Sequence, residues 1–321
     1  MRLARLPIRR RGQAQVRSRQ RAKATRRARP SRAVRLSDAT SSAGIGVAPP
    51  PPPLEPGAPP IAILVDYDGT IATTDVSDAL MAPFVTSEWE ARAAEYDAGL
   101  SGSRRLMEWE VGLIDHPPDR LRAFAAAQPH DAGFAALVRR AGAARIPIEV
   151  VSDGFGFFIP AALAALGVGD VAVVSARTTF DGGTPRIDFP NGHPRCFVCG
   201  TCKRNRVLAH KAAGRAVVFV GDGESDRYAA GYSDVVFAKR ALVTLSIENG
   251  WPYRAWSEFA DIDAWLADLV DRWRVDPAAA PAPLARRFFC GPEVWGEGRW
   301  DPPGPAGRPD ATTGSEGVVP G

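Results

Sequence analysis

Cysteine is scarce, with four residues in 321, three of them crowded between positions 196 and 202. So few thiols cannot staple a chain of this length, which excludes a disulfide scaffold and fits a reducing, cytoplasmic setting. Long apolar runs are also missing. No unbroken stretch approaches the roughly 18 to 20 residues that span a bilayer, so membrane insertion is not expected. Acid is absent from the first 37 positions, where 13 Arg and Lys23 leave 26 basic against 36 acidic residues in the remainder. An acidic body behind a basic arm does not read as a nucleic-acid-binding domain, whose positive charge would lie on a folded face. The arm alone leaves weak polyanion binding, or tethering to an anionic partner, open.

What is present divides the chain. Residues 1–60 pass from the Arg-rich arm into Pro49 to Pro53, Pro56, Pro59 and Pro60, and are expected to be disordered with a stiff polyproline piece. Residues 276–321 form a Pro/Gly-rich tail, with Phe288, Phe289, Trp295 and Trp300 as candidates to dock on the body. Between them, apolar runs at Ile61 to Asp66, Ile146 to Val151, Val171 to Ser175, Ala216 to Val220 and Val235 to Ala238 alternate with helical patterns. Such β-rich runs predict parallel strands buried on both faces, hence an open α/β sheet over 61–74 and 146–275. Residues 75–145 interrupt the alternation with helical patterns only, ending in Ala132 to Arg145, with Ser87 and Ser101 or Ser103 placed as N-caps. Arg177 to Phe180 and Arg186 to Phe189 read as a β-hairpin across Asp181-Gly182-Gly183.

In open α/β sheets ligands bind beyond the carboxyl ends of the strands, so the residues following each run carry the chemistry. Asp66-Tyr67-Asp68-Gly69-Thr70 places two carboxylates two residues apart, one suited to attack phosphorus and the other to protonate a leaving group, with a metal site as the competing reading. Ser152-Asp153-Gly154 offers a hydroxyl and backbone N–H groups where Phe155 is expected to open a helix, a phosphate site or a plain N-cap. Gly221-Asp222-Gly223-Glu224-Ser225-Asp226 supplies a glycine-bordered acid pair suited to Mg²⁺.

In order and composition these turns resemble the haloacid dehalogenase superfamily of phosphohydrolases: Asp66-x-Asp68-Gly69-Thr70 its first motif, Ser152 its second, Lys203 its third, Gly221-Asp222-x-x-x-Asp226 its fourth. The resemblance implies a Rossmann-like parallel sheet with a small helical cap inserted after the first strand. It implies Asp66 as nucleophile and Asp68 as general acid/base. Mg²⁺ would be held by Asp66, the Asp68 carbonyl and Asp222 with Asp226 in support, and Ser152, Gly154 and Lys203 would hold the phosphoryl group. The insert length is similar to the phosphoserine-phosphatase-like branch. Cys199-Gly200-Thr201-Cys202-Lys203, Phe237-Ala238-Lys239 and Gly250-Trp251-Pro252-Tyr253 are similar to methionine-salvage phosphatases of a hydroxy-keto-methylthiopentenyl phosphate. Asp153 and Gly69 depart from patterns common among these relatives.

The expected function is Mg²⁺-dependent hydrolysis of a small phosphorylated metabolite through an aspartyl-phosphate. Phosphoserine or phosphocholine/phosphoethanolamine esters are alternative substrates, and a catalytically weak phosphometabolite-binding or tethering protein is a second class; the sequence also allows a homodimer. Cys196, Cys199 and Cys202, with His193 ahead of them, could close around Zn²⁺ or be buried or redox-sensitive thiols. His116, His130 and His210 are isolated and expected to be surface or core residues.

Overall fold

The structure is a computed structural model that describes residues 45–82, 87–98, 100–182, 185–194, 196, 198–282 and 290. Its centre is a six-stranded parallel sheet of β1 (Ile61–Val65), β2 (Ile148–Val151), β3 (Ala172–Val174), β6 (Ala216–Gly221), β7 (Val235–Ala238) and β8 (Arg254–Ala255), in the order β3-β2-β1-β6-β7-β8. The hairpin of β4 (Arg177–Thr179) and β5 (Arg186–Asp188) stands apart as an antiparallel pair. Every residue of β1 is fully buried. Alternation splits its side chains between two cores: Ile61, Ile63 and Val65 pack on one face and Leu64 on the other, as Val218 and Val220 oppose Val217 and Phe219 on β6. This double burial is why the strands read as continuous apolar runs.

The order reverses between β1 and its two neighbours. Register pairs Val65 with both Val150 and Val220, so Asp66, the turn after β2 and the turn after β6 emerge side by side at one end of the sheet. That junction is the switch point where such sheets bind ligands.

Between β1 and β2 run α1 (Val76–Met81), α2 (Ser87–Asp97), α3 (Ser103–Glu110), α4 (Pro118–Ala126) and α5 (Gly133–Ala143). The last of these, expected within the 75–145 insert, packs instead on β2 and on the long C-terminal helix α10 (Phe259–Val275), burying Phe134, Leu137 and Ala141. The chain enters and leaves α1–α4 through a narrow neck. There Ala72 bridges His130, Thr73 N–H donates to the Pro129 carbonyl, and the Tyr67 hydroxyl lies 2.9 Å from His130 Nε2. The expected caps need correction: α3 is preceded by Gly102, which offers no side-chain cap, while Ser103 is its first residue and bonds elsewhere. The Ser87 side chain lies outside the described residues. The sheet is further covered by α6 (Ile159–Ala165), α7 (Lys203–Ala212), α8 (Arg227–Ala230) and α9 (Ala241–Glu248). No helix among the described residues is long and apolar enough to cross a membrane.

The expected disorder of 1–60 is corrected where the structure speaks. Residues 45–60 run along the domain, and because proline lacks an N–H the contacts are made largely by core side chains reaching strap carbonyls. Arg206 donates to the Pro49 carbonyl, Arg215 to that of Pro53, both at 2.7 Å, and Asn191 clasps Gly46 and Ala48. The basic arm at 1–44 and most of the tail, with Phe288, Phe289, Trp295 and Trp300, lie outside the described residues.

Beneath the strap, Glu149 of β2 is buried and takes a bidentate Arg206 guanidinium, with His210 Nε2 at 3.2 Å. Burial alone would raise its pKa, but the bonds from His210 and Arg206 outweigh it and hold the carboxyl down at about 2. With the folded value below the ordinary 4.5, the stabilisation is complete above that value and is lost as pH falls toward 2. Glu149→Ala, which strands Arg206, should cost about 3–5 kcal/mol in urea unfolding at pH 7, and the deficit relative to wild type should shrink at pH 3.

Candidate active site

Three turns build the site. After β1 the chain stays extended at Asp66 (ψ 159°) and Asp68 (ψ 132°), then reverses at Gly69 with φ 68°. A Cβ on Gly69 would lie 2.3 Å from Asp222 Oδ2, so glycine is required both for the turn and for the approach of the loop after β6. That loop closes on itself: Asp226 Oδ2 accepts from the backbone N–H groups of Asp222 (2.9 Å) and Gly223 (3.1 Å). The third turn carries Ser152, whose hydroxyl oxygen accepts from the Gly154 N–H at 3.1 Å. Here the expected helix at Phe155 does not begin; α6 starts at Ile159, and Ser152 and Gly154 sit in a turn ahead of it. A Cβ on Gly154 would lie 2.9 Å from Asp68 Oδ2 and 3.3 Å from Ser152 Oγ, which shows how closely these groups converge.

Lys203 joins the turns. Fully buried at the start of α7, its Nζ donates to Asp66 Oδ1 at 2.5 Å, to Asp226 Oδ1 at 2.7 Å and to Ser225 Oγ at 3.1 Å. Burial would lower its pKa, yet Asp226 and Asp66 overcome that and raise it well above the ordinary lysine value. Asp66 is pushed upward, first by burial and then by the charge of Asp226, against the pull of Lys203. Asp222 is raised for the same two reasons, despite bonds from Arg240 (3.0 Å) and Thr70 (3.1 Å). One carboxylate oxygen each from Asp66, Asp222 and Asp226 lies within 4.8 Å of the others, the one such ligand group among the described residues. Three crowded carboxylates, with Asp66 and Asp222 driven upward, are an excess of negative charge that suits a small divalent cation.

Asp68 stands aside from this cluster. Its carboxylate accepts from the Val76 N–H (2.8 Å) and the Ser77 hydroxyl (3.1 Å) at the start of α1, and desolvation, with Asp75 adding to it, raises its pKa to about 8. A carboxyl kept protonated near neutrality is able to give up a proton. The structure therefore brings Asp66, Lys203, Asp222 and Asp226 into direct contact or ligand distance and places Asp68, Ser152 and Gly154 together beside them.

Cys196, Cys199, Cys202 and His193 line a cavity of about 20 Å³ with Cys290, against Lys203. No three of their ligand atoms gather within 4.8 Å among the described residues, none of the cysteines forms a disulfide, and burial pushes Cys199 well up and Cys202 up to about 12. They are thiols rather than assembled metal ligands. Two residues escaped the sequence reading. Arg240, with the uncommon φ of 49°, spans Asp222 and the carbonyls of Gly69 and Thr73. Its only signal was its place after β7. Tyr96 of α2, in the insert, has its hydroxyl pKa raised by burial and then by the charge of Asp153, with Lys203 and Asp226 also within electrostatic reach. A single aromatic on an amphipathic helix gave no signal at all.

The model of the haloacid dehalogenase-like hydrolases matches residues 63–231. The chain belongs to that family. The 2-hydroxy-3-keto-5-methylthiopentenyl-1-phosphate phosphatase of Exiguobacterium sibiricum is 30% identical over 213 residues, covering 63% of this chain and 94% of that enzyme. The enzyme of the same name from Brevibacillus brevis is 27% identical over 212 residues, covering 63% and 93%. A solved structure described as a phospho-aspartyl intermediate analogue of phosphoserine phosphatase is 17% identical, covers 64% of this chain and 98% of its own, and gives a TM-score of 0.49. Within its family this chain is a phosphoric monoester hydrolase.

Gly69→Ala combines a strained φ with a Cβ driven into Asp222. It should destabilise the fold by about 1–3 kcal/mol and remove most phosphatase activity; an unchanged melting midpoint with full turnover would contradict this account of the turn.

Proposed function

We propose that the protein is a Mg²⁺-dependent phosphatase acting on a small organic phosphomonoester through an aspartyl-phosphate on Asp66. The observation that carries this reading is Lys203 Nζ, held between Asp66 (2.5 Å) and Asp226 (2.7 Å) at the switch point of the sheet. Phosphoryl transfer demands positioning and charge neutralisation more than covalent elaboration, and buried carboxylates around one lysine supply both.

In this mechanism Asp66 Oδ attacks phosphorus while the bond from phosphorus to the leaving oxygen breaks. Asp68, protonated near neutral pH, delivers its proton to that oxygen; once ionised, it takes a proton from the water that cleaves the acyl phosphate, restoring both side chains. Lys203 holds a phosphoryl oxygen on one side, and the Ser152 hydroxyl with the Gly154 N–H holds another. Mg²⁺, when held by Asp66, the Asp68 carbonyl and Asp222 with Asp226 behind them, supplies positive charge that keeps Asp66 ionised and offsets the phosphate. The helices α1–α4 serve as a cap that closes over the site, excludes water and reads the leaving group.

The substrate reading follows the relatives: a 2-hydroxy-3-keto-5-methylthiopentenyl 1-phosphate-type ester comes first, because enzymes named for it match this chain over most of their length. Phosphoserine, phosphocholine and phosphoethanolamine are the comparison esters.

A screen of these esters with Mg²⁺ and with EDTA tests the reading. Turnover should require the metal, and Asp66→Asn should lower kcat by ~10³-fold or more while leaving the protein folded. Because Asp66→Asn also removes one charge from a crowded cluster, the metal-free variant should melt at or above the wild-type midpoint. Rapid quench of wild type with a competent ester should label Asp66; label on another residue, or turnover surviving the substitution, would end the proposal.

A further inference from the structure

Asp153, the residue beside Ser152, is tied into two separate parts of the molecule. Its Oδ2 accepts from the Ser103 hydroxyl at 2.6 Å, and its Oδ1 accepts from the Thr201 N–H at 2.7 Å. Ser103 opens α3 in the insert; Thr201 lies two residues before Lys203. Ser103 and Thr201 are buried, at 9% and 1% exposure, and Asp153 between them is half-buried.

The surrounding contacts show a fitted junction rather than one chance bond. Ser103 Oγ also accepts from the Gly200 N–H at 3.3 Å, and the Arg104 N–H donates to the Val198 carbonyl at 3.2 Å. Glycine stands on each side where the segments approach most closely. A Cβ on Gly102 would lie 2.2 Å from the Val198 oxygen, and one on Gly200 would lie 2.5 Å from Met107 Cε of α3. The Arg104 guanidinium lies 4.8 Å above the Phe189 ring, beside the same loop. The first turn of α3 and residues 198–202 are therefore interlocked, with the Asp153 carboxylate as the shared acceptor.

We infer that Asp153 is a positioning residue, a latch that joins the first turn of α3 to the loop ending at Lys203, so that docking of the insert and placement of the phosphate-site lysine are set together. The inference rests on the phosphatase reading above for its kinetic consequences, but not for its structural ones. If the insert lifts to admit substrate, the Ser103–Asp153 bond breaks and the Thr201–Asp153 bond stays with the core. Ser103→Ala removes only the first; Asp153→Ala removes both. Asp153→Asn keeps an acceptor for Thr201 and a neutral partner for Ser103.

Two measurements separate this role from general stability: steady-state kinetics with the best ester, and amide hydrogen exchange at α3 and at residues 198–202, with and without Mg²⁺ and inorganic phosphate. Ser103→Ala should raise KM by about tenfold with kcat changed less than about twofold, the scale of one charge-assisted bond. Its faster exchange should appear in the first turn of α3 and at the Gly200 N–H, which loses the Ser103 oxygen, while the Thr201 N–H stays protected by Asp153. Asp153→Ala should also lower kcat by about tenfold or more and speed exchange in both segments, and Asp153→Asn should recover most of both losses. If Asp153→Ala does not fold, Ser103→Ala and Asp153→Asn carry the test, and wild-type exchange in α3 of Ser103→Ala overturns the latch. Equal loosening throughout the protein in any variant also overturns it. Should wild type hydrolyse none of the esters while exchange changes as expected, the phosphatase reading falls and the latch stands.

Discussion

Lys203 sits where three carboxylates would otherwise repel one another out of the protein. Its ammonium is buried and bonded to Asp66 and Asp226, while Arg240 reaches the cluster only at its outer edge, beside Asp222. Desolvation works against every one of these charges, and Asp66 and Asp222 are shifted upward first by burial and then by the charge of Asp226, which the lysine offsets only in part at Asp66. A site arranged in this way is held under electrostatic stress by the fold around it. The same stress gives it affinity for a cation and then for a phosphate, since each arriving charge relieves what the last left unbalanced.

The fold tolerates this because the strands beneath are secured on both faces. β1 is wholly buried between two apolar clusters, and its neighbours in register are β2 and β6, whose ends supply the other two turns. Asp66, Ser152 and Asp222 are thus positioned by backbone pairing rather than by their own contacts. Gly69 and Gly154 then allow the turns to meet at distances that a Cβ would forbid.

Much of this was legible in the order of residues alone. The apolar runs predicted the strands within a residue or two, because burial on both faces removes the polar alternation that would blur them. The acids at the strand ends were legible for the same reason: a carboxylate directly after an apolar run falls at the carboxyl edge of the sheet, where ligands bind. What failed was packing between segments distant in sequence. The last helix of the insert carries the same amphipathic signature as its predecessors, and only α10, more than a hundred residues later, decides that it belongs with the sheet. Pro49 and Pro53 look like solvated chain until Arg206 and Arg215 are seen to grip their carbonyls. Tyr96, Arg240 and the Ser103–Asp153 bond depend on three-dimensional neighbours that no local pattern encodes.

Two charge clusters on the same sheet are handled in opposite ways. On β2, Glu149 is matched by a bidentate Arg206 and covered by the strap, and its carboxyl is held far below the ordinary range. At the carboxyl end, Asp66, Asp68 and Asp222 are all held above it. Glu149 and Asp66 are both buried, so burial alone cannot account for the difference; the number and placement of donors does. An ion pair satisfied within the protein stabilises the fold and binds nothing further, whereas acids left short of positive charge lower stability and remain receptive to a ligand. Glu149 pairs in register with Leu64, two residues short of Asp66, and Arg206 lies one turn along α7 from Lys203, so the two environments are kept distinct by their own donors and not by distance.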